Sequence, residues 1–255
     1  MDAQTTYVAG FGGAQLAVHR MGAGRPLVLL HGLFSSAEVN WIKYGTAARL
    51  AGAGFDVIMP DLRAHGQSSR PQVADAYPAD VLVRDLVAVI GALGLGKFDL
   101  CGYSLGARTS LQAVAGGAVR PGRLVLCGMG LAGITGWQTR MDFFLDVIGR
   151  YGTIPRDDPG WWAQNFMRST KVDLVATRLL LEALRGGHVD DFSGVTMPTK
   201  LICGTEDDDN GSAEELAAAL PDAAFAPIPG THMSAVTMSQ LGEEITGFLS
   251  GTAVR

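Results

Sequence analysis

The five residues Gly102-Tyr103-Ser104-Leu105-Gly106 constrain this chain more than any others. They follow Lys97-Phe98-Asp99-Leu100-Cys101, which reads as a short buried strand, and precede 107–115, which reads as a helix. A serine between two such elements sits on a sharp strand-to-helix turn with a strained backbone. The residues two places away on either side must then be small, and Gly102 and Gly106 meet that demand. The turn holds the hydroxyl above the sheet, beside the backbone N–H groups of a helix start. That is the placement a serine nucleophile requires. Gly-x-Ser-x-Gly alone carries little in a chain with 34 glycines; the flanking strand and helix supply the weight.

Strand-like and helix-like runs alternate on both sides of this turn. Strands are expected at 15–19, 26–30, 55–59, 98–101, 123–127, 200–203 and 223–228. Helices are expected at 37–51, 79–93, 107–115, 212–220 and 234–249. In the second of these, Val83, Leu86, Val87 and Ile90 fall on one face at helical spacing. Such alternation predicts an α/β fold with a mostly parallel sheet covered on both faces. The rhythm breaks between 131 and 197, where three helical patterns (137–151, 161–169 and 172–185) occur without a strand. The expected organisation is one α/β core formed by 1–130 and 198–255, with 131–197 as a helical cap.

The 255 residues suffice for one large α/β domain or two small ones, and 47% hydrophobic residues permit a sizeable core. The formal charge of −5 is spread along the chain, and no basic run points to a nucleic-acid partner. Apolar stretches are interrupted well before the roughly 18 residues a membrane span needs. The first residues, Met1 to Thr6, show neither the basic nor the apolar region of a secretory leader. A cytoplasmic protein, monomeric or homodimeric, is expected. Cys101, Cys127 and Cys203 each end an apolar run just before a glycine, without the spacing of a zinc site or redox pair. They read as small buried thiols, reduced, and in one layer if their strands are neighbours.

A serine hydroxyl needs a base to take its proton and a third group to orient that base. His19 lies in a strand and His188 follows two glycines; both read as structural or exposed. His31 and His65 stand in His-Gly turns and read as loop anchors. His232, in Pro229-Gly230-Thr231-His232-Met233, sits on a loop after the last strand, where α/β sheets place catalytic groups. It is the expected base. The acid is expected in Gly204-Thr205-Glu206-Asp207-Asp208-Asp209-Asn210, after the preceding strand. Asp207 leads there, with Asp208 and Glu206 as alternatives that spacing does not eliminate. An oxyanion needs backbone donors: the N–H of Leu105, after the serine, and the N–H of Leu33, in the loop His31-Gly32-Leu33-Phe34.

With these pieces in order, the chain resembles the α/β-hydrolase superfamily, particularly its small esterases with a helical cap. The matching segments are His31-Gly32-Leu33-Phe34, Asp61-Leu62-Arg63-Ala64-His65-Gly66-Gln67-Ser68, Gly102 to Gly106, Gly204 to Asp207, and Gly230-Thr231-His232. The order serine, acid, histidine is that of the α/β-hydrolase arrangement. The resemblance covers about residues 14–250. It implies an eight-stranded, mostly parallel sheet with the cap entering after the sixth strand, and no cofactor or metal. It also favours Asp207, three residues after the strand-ending glycine. The family usually has glycine where Ala64 stands, which leaves the local loop shape open.

The cap segment carries Trp137, Phe143, Phe144, Trp161, Trp162 and Phe166. As a group they suggest an apolar pocket over Ser104, with Phe34, Tyr103, Trp137 and Phe144 as its expected walls. The expected activity is hydrolysis of small to medium apolar esters, or of a related carbonyl substrate, through an acyl-enzyme. Carbon–carbon bond hydrolases, lactonases, thioesterases and cofactor-free perhydrolases share the triad and remain alternatives. So does a ligand-binding protein with little turnover. The serine argues against haloalkane dehalogenases and epoxide hydrolases, which resemble this fold but attack with an aspartate.

Overall fold

A computed structural model describes residues 2–187 and 189–251, so Met1 and His188 lie outside the described residues. Eight strands form one sheet: β1 (Gln4–Ala9), β2 (Gln15–Gly22), β3 (Arg25–Leu30), β4 (Phe55–Pro60), β5 (Asp99–Tyr103), β6 (Leu124–Cys127), β7 (Thr199–Gly204) and β8 (Ala223–Ile228). Their spatial order is β1-β2-β4-β3-β5-β6-β7-β8. β2 runs antiparallel to β1 and β4, and all the other pairs are parallel. Side chains alternate between two cores. Leu27 and Leu29 face one side with helices α1 (Thr46–Gly52) and α9 (Ser239–Ser250). Val28 and Leu30 face the other with α2 (Val81–Ala92), α3 (Leu105–Ala115) and α8 (Ala213–Ala219). Between β6 and β7 the chain forms α4 (Leu131–Thr135), α5 (Trp137–Gly149), α6 (Trp161–Ser169) and α7 (Leu174–Leu184).

Several local expectations shift. β1 has no apolar alternation to reveal it, because five of its six residues are exposed at the sheet edge. The expected helix 37–51 is two pieces. A π-helical turn, Glu38–Ile42, is closed by the Lys43 N–H on the Glu38 carbonyl at 2.9 Å. Gly45, at φ 85°, then breaks the chain before α1. Helix α2 buries Val81, Leu82, Asp85, Leu86 and Val89, while Val87 is exposed. The expected face is rotated because a carboxylate lies on the buried side. Asp85 takes two 2.8 Å hydrogen bonds from the buried Arg63 guanidinium. The last expected helix splits at Met238, whose extended backbone separates a short 3-10 turn, Ala235–Thr237, from α9. The thiols are free but not in one layer: Cys101 and Cys127 meet at 3.9 Å on one face of the sheet, and Cys203 belongs to the core of the other.

Topology decides where a site can form. From β3 the chain crosses to β4 on one side and then returns past β3 to β5 on the other. The loops after β3 and β5 therefore diverge at a topological switch point, which opens a crevice at the carboxyl ends of the strands. The first turn of α3 packs directly on the end of β3. A Cβ on Gly106 would stand 2.2 Å from the Leu30 carbonyl oxygen, and one on Gly102 would stand 2.3 Å from the Gly106 carbonyl. Two glycines thus let backbone touch backbone beneath Ser104.

The loop after β3 rests on two buried imidazoles. His31 donates from Nδ1 to the Gly32 carbonyl (2.8 Å) and accepts the Leu62 N–H on Nε2 (2.9 Å). His65 donates from Nδ1 to the Arg63 carbonyl (2.9 Å) and accepts the Phe34 N–H on Nε2 (3.0 Å). Each ring must be neutral to accept at Nε2. Burial pushes both rings toward the neutral form, His65 down to about 3 with help from neighbouring His31. The Asp61 carboxylate beneath them accepts from His19 Nε2 (3.1 Å) and from the N–H groups of Ala37 and Gln67. Ala64, in the same turn, takes the left-handed φ of 67° that its position demands.

Two outcomes follow for stability. Gly106→Ala forces a methyl into the Leu30 carbonyl and should cost about 3 kcal/mol or prevent folding, as read from urea unfolding. For His65, the folded form resists a proton that the unfolded chain accepts below about pH 6.5. Its contribution is complete above that pH and is lost on acidification toward pH 3. The slope is about 1.4 kcal/mol per pH unit. Urea midpoints of the wild type between pH 6 and 4 should fall more steeply than those of His65→Gln, and parallel curves would refute this.

Candidate active site

Ser104 occupies the junction of β5 and α3 with φ 52° and ψ −115°, a conformation a non-glycine residue adopts only under constraint. The constraint is visible on both sides. The Ser104 N–H donates to the Cys127 carbonyl at 2.8 Å, and its own carbonyl accepts the Arg108 N–H at 2.9 Å. Its hydroxyl lies 3.0 Å from Nε2 of His232, on the loop after β8. Nδ1 of the same ring donates to Oδ2 of Asp207, on the loop after β7, at 2.9 Å. Three loops at one edge of the sheet thus bring serine, histidine and aspartate into a single relay.

The acidic loop sorts itself by burial. Glu206 and Asp208 are exposed, while the Asp207 side chain is fully buried against His232. Its other contacts are the Asp209 N–H on Oδ1 (3.2 Å) and the Cys203 thiol on Oδ2 (3.4 Å). Burial disfavours the Asp207 charge, but the hydrogen bond and charge of His232, with the thiol and amide, hold it below the usual carboxylate range. The His232 backbone is tied in turn, since its carbonyl accepts the Tyr103 hydroxyl at 2.7 Å. His19, His31 and His65 serve the loops beneath Asp61 and Phe34 and make no hydrogen bond to Ser104.

Beside Ser104, most N–H groups of the β3 loop are occupied. Gly32 N–H donates to Asn40 Oδ1 (2.9 Å), Phe34 N–H to His65, and Ser35 N–H to the Gly32 carbonyl (3.2 Å). The N–H groups of Leu33 and Leu105 have no partner among the described residues. These are the two donors the sequence singles out for an oxyanion.

A cavity of about 480 Å³ opens over the hydroxyl. Phe34, Tyr103, Trp137 and Phe144 all line it, and Phe34 meets Phe144 edge-on with ring centroids 5.1 Å apart. Phe166 joins them, whereas Trp162 is 76% exposed and stacks edge-on against Trp161 away from the cavity. Sequence reasoning missed the polar lining: Asn40, Lys43, Arg140 and Asp209. Arg140 donates to the Asp209 carbonyl (2.5 Å) and carboxylate (3.2 Å). A polar residue between apolar neighbours, as in Val39-Asn40-Trp41, was the available signal for Asn40. Among the described residues no cluster of histidine, cysteine and carboxylate groups is suited to a metal, and no helix is long and apolar enough to cross a membrane.

Comparison with known proteins agrees with this architecture. A family model described as the alpha/beta hydrolase fold matches residues 25–129. N-formylmaleamate deformylase of Pseudomonas putida is 34% identical over 129 residues, 50% of this chain and 46% of that protein. 2-Hydroxymuconate semialdehyde hydrolase of a Pseudomonas species is 36% identical over 124 residues, 48% of this chain and 42% of that protein. The matched region thus spans less than half the length of these curated relatives. An esterase from Exiguobacterium antarcticum superposes with a TM-score of 0.77 at 20% identity, over 97% of this chain and 98% of that one. At that identity the likeness is one of fold. By its sequence match over residues 25–129, its eight-stranded sheet and its turn around Ser104, the chain has the α/β-hydrolase fold.

Proposed function

We propose that the chain is a serine hydrolase that cleaves carboxylic esters with small to medium apolar groups. The observation that carries this is the relay from the Ser104 hydroxyl through His232 (3.0 Å) to Asp207 (2.9 Å). Residues 1–130 and 198–255 act as the core, and 131–197 as a cap whose Trp137, Phe144 and Phe166 close an apolar cavity over the hydroxyl.

In this reading Ser104 Oγ attacks the substrate carbonyl carbon while His232 Nε2 takes its proton. Asp207 keeps the ring in the tautomer that presents a bare Nε2 and stabilises the imidazolium that forms. The N–H groups of Leu33 and Leu105 receive the developing oxyanion, each worth about 2.7–4 kcal/mol of transition-state stabilisation. His232 then protonates the departing alcohol, and a water molecule repeats the sequence to free the acid and restore Ser104.

A second reading keeps the triad and changes the bond. Lys43 in the lining, with no carboxylate partner among the described residues, suits a substrate with an anionic group, whereas the Arg140 charge is met by Asp209. The matched relatives named as a deformylase and a semialdehyde hydrolase make amide or carbon–carbon cleavage the rival to ester cleavage.

Intact-mass analysis after treatment with a fluorophosphonate tests the nucleophile without a chosen ester. One adduct is expected, mapped to Ser104 and absent from Ser104→Ala and His232→Ala; an unmodified wild type would refute the reading. Asp207→Asn should lower kcat about 10⁴-fold while leaving the fold intact. In a panel of 4-nitrophenyl esters, butyrate and octanoate should exceed strongly polar acyl groups in kcat/KM. The reverse order would remove the apolar-pocket assignment and bring the second reading forward.

A further inference from the structure

Asn40 is held where a structural amide has no need to be. It is buried, at 3% exposure, yet lines the same cavity as Ser104. Its Oδ1 accepts the Gly32 N–H at 2.9 Å, which fixes which end of the amide is oxygen. Nδ2 has no partner among the described residues and is not among the sealed-off polar atoms, so it opens onto the cavity. Gly32 separates the amide from the nucleophile: a Cβ on Gly32 would stand 3.3 Å from Ser104 Cβ and 3.7 Å from Asn40 Oδ1. The backbone that carries Asn40 is itself unusual. The π-helical turn Glu38–Ile42 inserts one residue into the helical pitch, with Trp41 fully buried beside it. Such turns recur at functional sites because they redirect a side chain at a cost to the helix.

We propose that Asn40 is a further catalytic residue, whose Nδ2 donates a third hydrogen bond to the oxyanion formed at Ser104. The proposal rests on the serine-hydrolase reading above. When Ser104 Oγ bonds to the carbonyl carbon, the carbonyl electron pair moves onto oxygen and the serine proton moves to His232. That oxygen then accepts from Leu33 N–H, Leu105 N–H and Asn40 Nδ2–H. Oδ1 remains on Gly32 throughout, so one side chain both shapes the loop and serves the charge.

The test begins with the wild-type fluorophosphonate adduct, whose phosphoryl oxygen mimics the oxyanion. Its crystal structure should place Asn40 Nδ2 within about 3.2 Å of that oxygen. An amide turned away, or farther than about 4 Å, overturns the proposal. Kinetics supply the second arm, with 4-nitrophenyl butyrate as substrate. Asn40→Asp keeps an acceptor for Gly32 N–H and loses the donor; Asn40→Ala loses both. Each should lower kcat about 10²–10³-fold with KM changed less than about threefold. Asn40→Asp should regain activity relative to the wild type at acid pH, where a protonated carboxyl can donate again. Either variant retaining kcat within threefold of the wild type reduces Asn40 to a loop support. If the variants do not fold, the adduct structure alone decides. A wild type that neither forms the adduct nor turns over any ester sinks the serine-hydrolase reading itself, an outcome distinct from these.

Discussion

Everything at the carboxyl edge of the sheet depends on one bare contact, between the first turn of α3 and the carbonyls that end β3. No side chain intervenes, because Gly106 would drive a Cβ to 2.2 Å from the Leu30 oxygen and 2.8 Å from the His31 oxygen. That approach brings the β3 loop, with Leu33, alongside the start of α3, with Leu105. It also forces Ser104 into its positive φ, at a cost of about 1–3 kcal/mol. The surrounding structure meets that cost through the buried sheet on one side and the Cys127 and Arg108 backbone bonds on the other. Strain and donor placement are therefore one event and not two.

The polar groups beneath the loop are hydrogen-bonded, as burial requires of them. Arg63 reaches Asp85 twice and the carbonyls of Ala76 (3.1 Å) and Phe11 (2.6 Å), so its 1% exposed guanidinium is paired and hydrogen-bonded. Breaking one side of such a pair typically costs about 3–5 kcal/mol. Asp61, His31 and His65 form the neighbouring layer, in which neutral rings accept backbone N–H groups that a protonated ring must reject. The loop shape thus depends on two histidines staying uncharged. Burial enforces that, in contrast to His232, which must take up and release a proton within each turnover of the proposed reaction.

The sequence makes the parallel core legible because strands covered on both faces leave apolar runs that nothing else explains. β8 and α6 coincide with their expected bounds, since turn residues flank both. β1 escapes because an exposed edge strand has no buried face to write into its sequence. α2 is misoriented because Asp85, half of a buried ion pair, looks like a surface residue until Arg63 is placed. Cys203 is misassigned to a layer for a simpler reason. It stands one residue beyond Ile202, the register partner of Cys127, and so points to the opposite face. Ser104, His232 and Asp207 come together as their loops suggest, yet spacing alone did not separate Asp207 from its acidic neighbours. Asn40 is harder to find: its apolar neighbours Val39 and Trp41 are the one hint, because a π-helical turn has no sequence period to aim its side chain.

The cavity has one wall that the sheet builds and one that the segment between β6 and β7 builds, and different forces hold the two. The core wall is fixed by backbone hydrogen bonds and fully buried side chains. The opposing wall meets it through Phe144 on Phe34 and through Arg140 on Asp209. The ion pair is half open to water on the Asp209 side, so it contributes about 1 kcal/mol at most. The edge-on ring pair adds about 0.5–1.5 kcal/mol beyond the apolar area it covers. The ring pair is thus at least as strong as this ion pair in seating the wall, to which Trp137 adds its ring under the Arg108 guanidinium at 4.6 Å. A substrate with an apolar group repeats that chemistry, covering Phe34 and Phe144 as they cover each other. The contact that closes the cavity and the contact that would select its occupant thus come from the same aromatic surface.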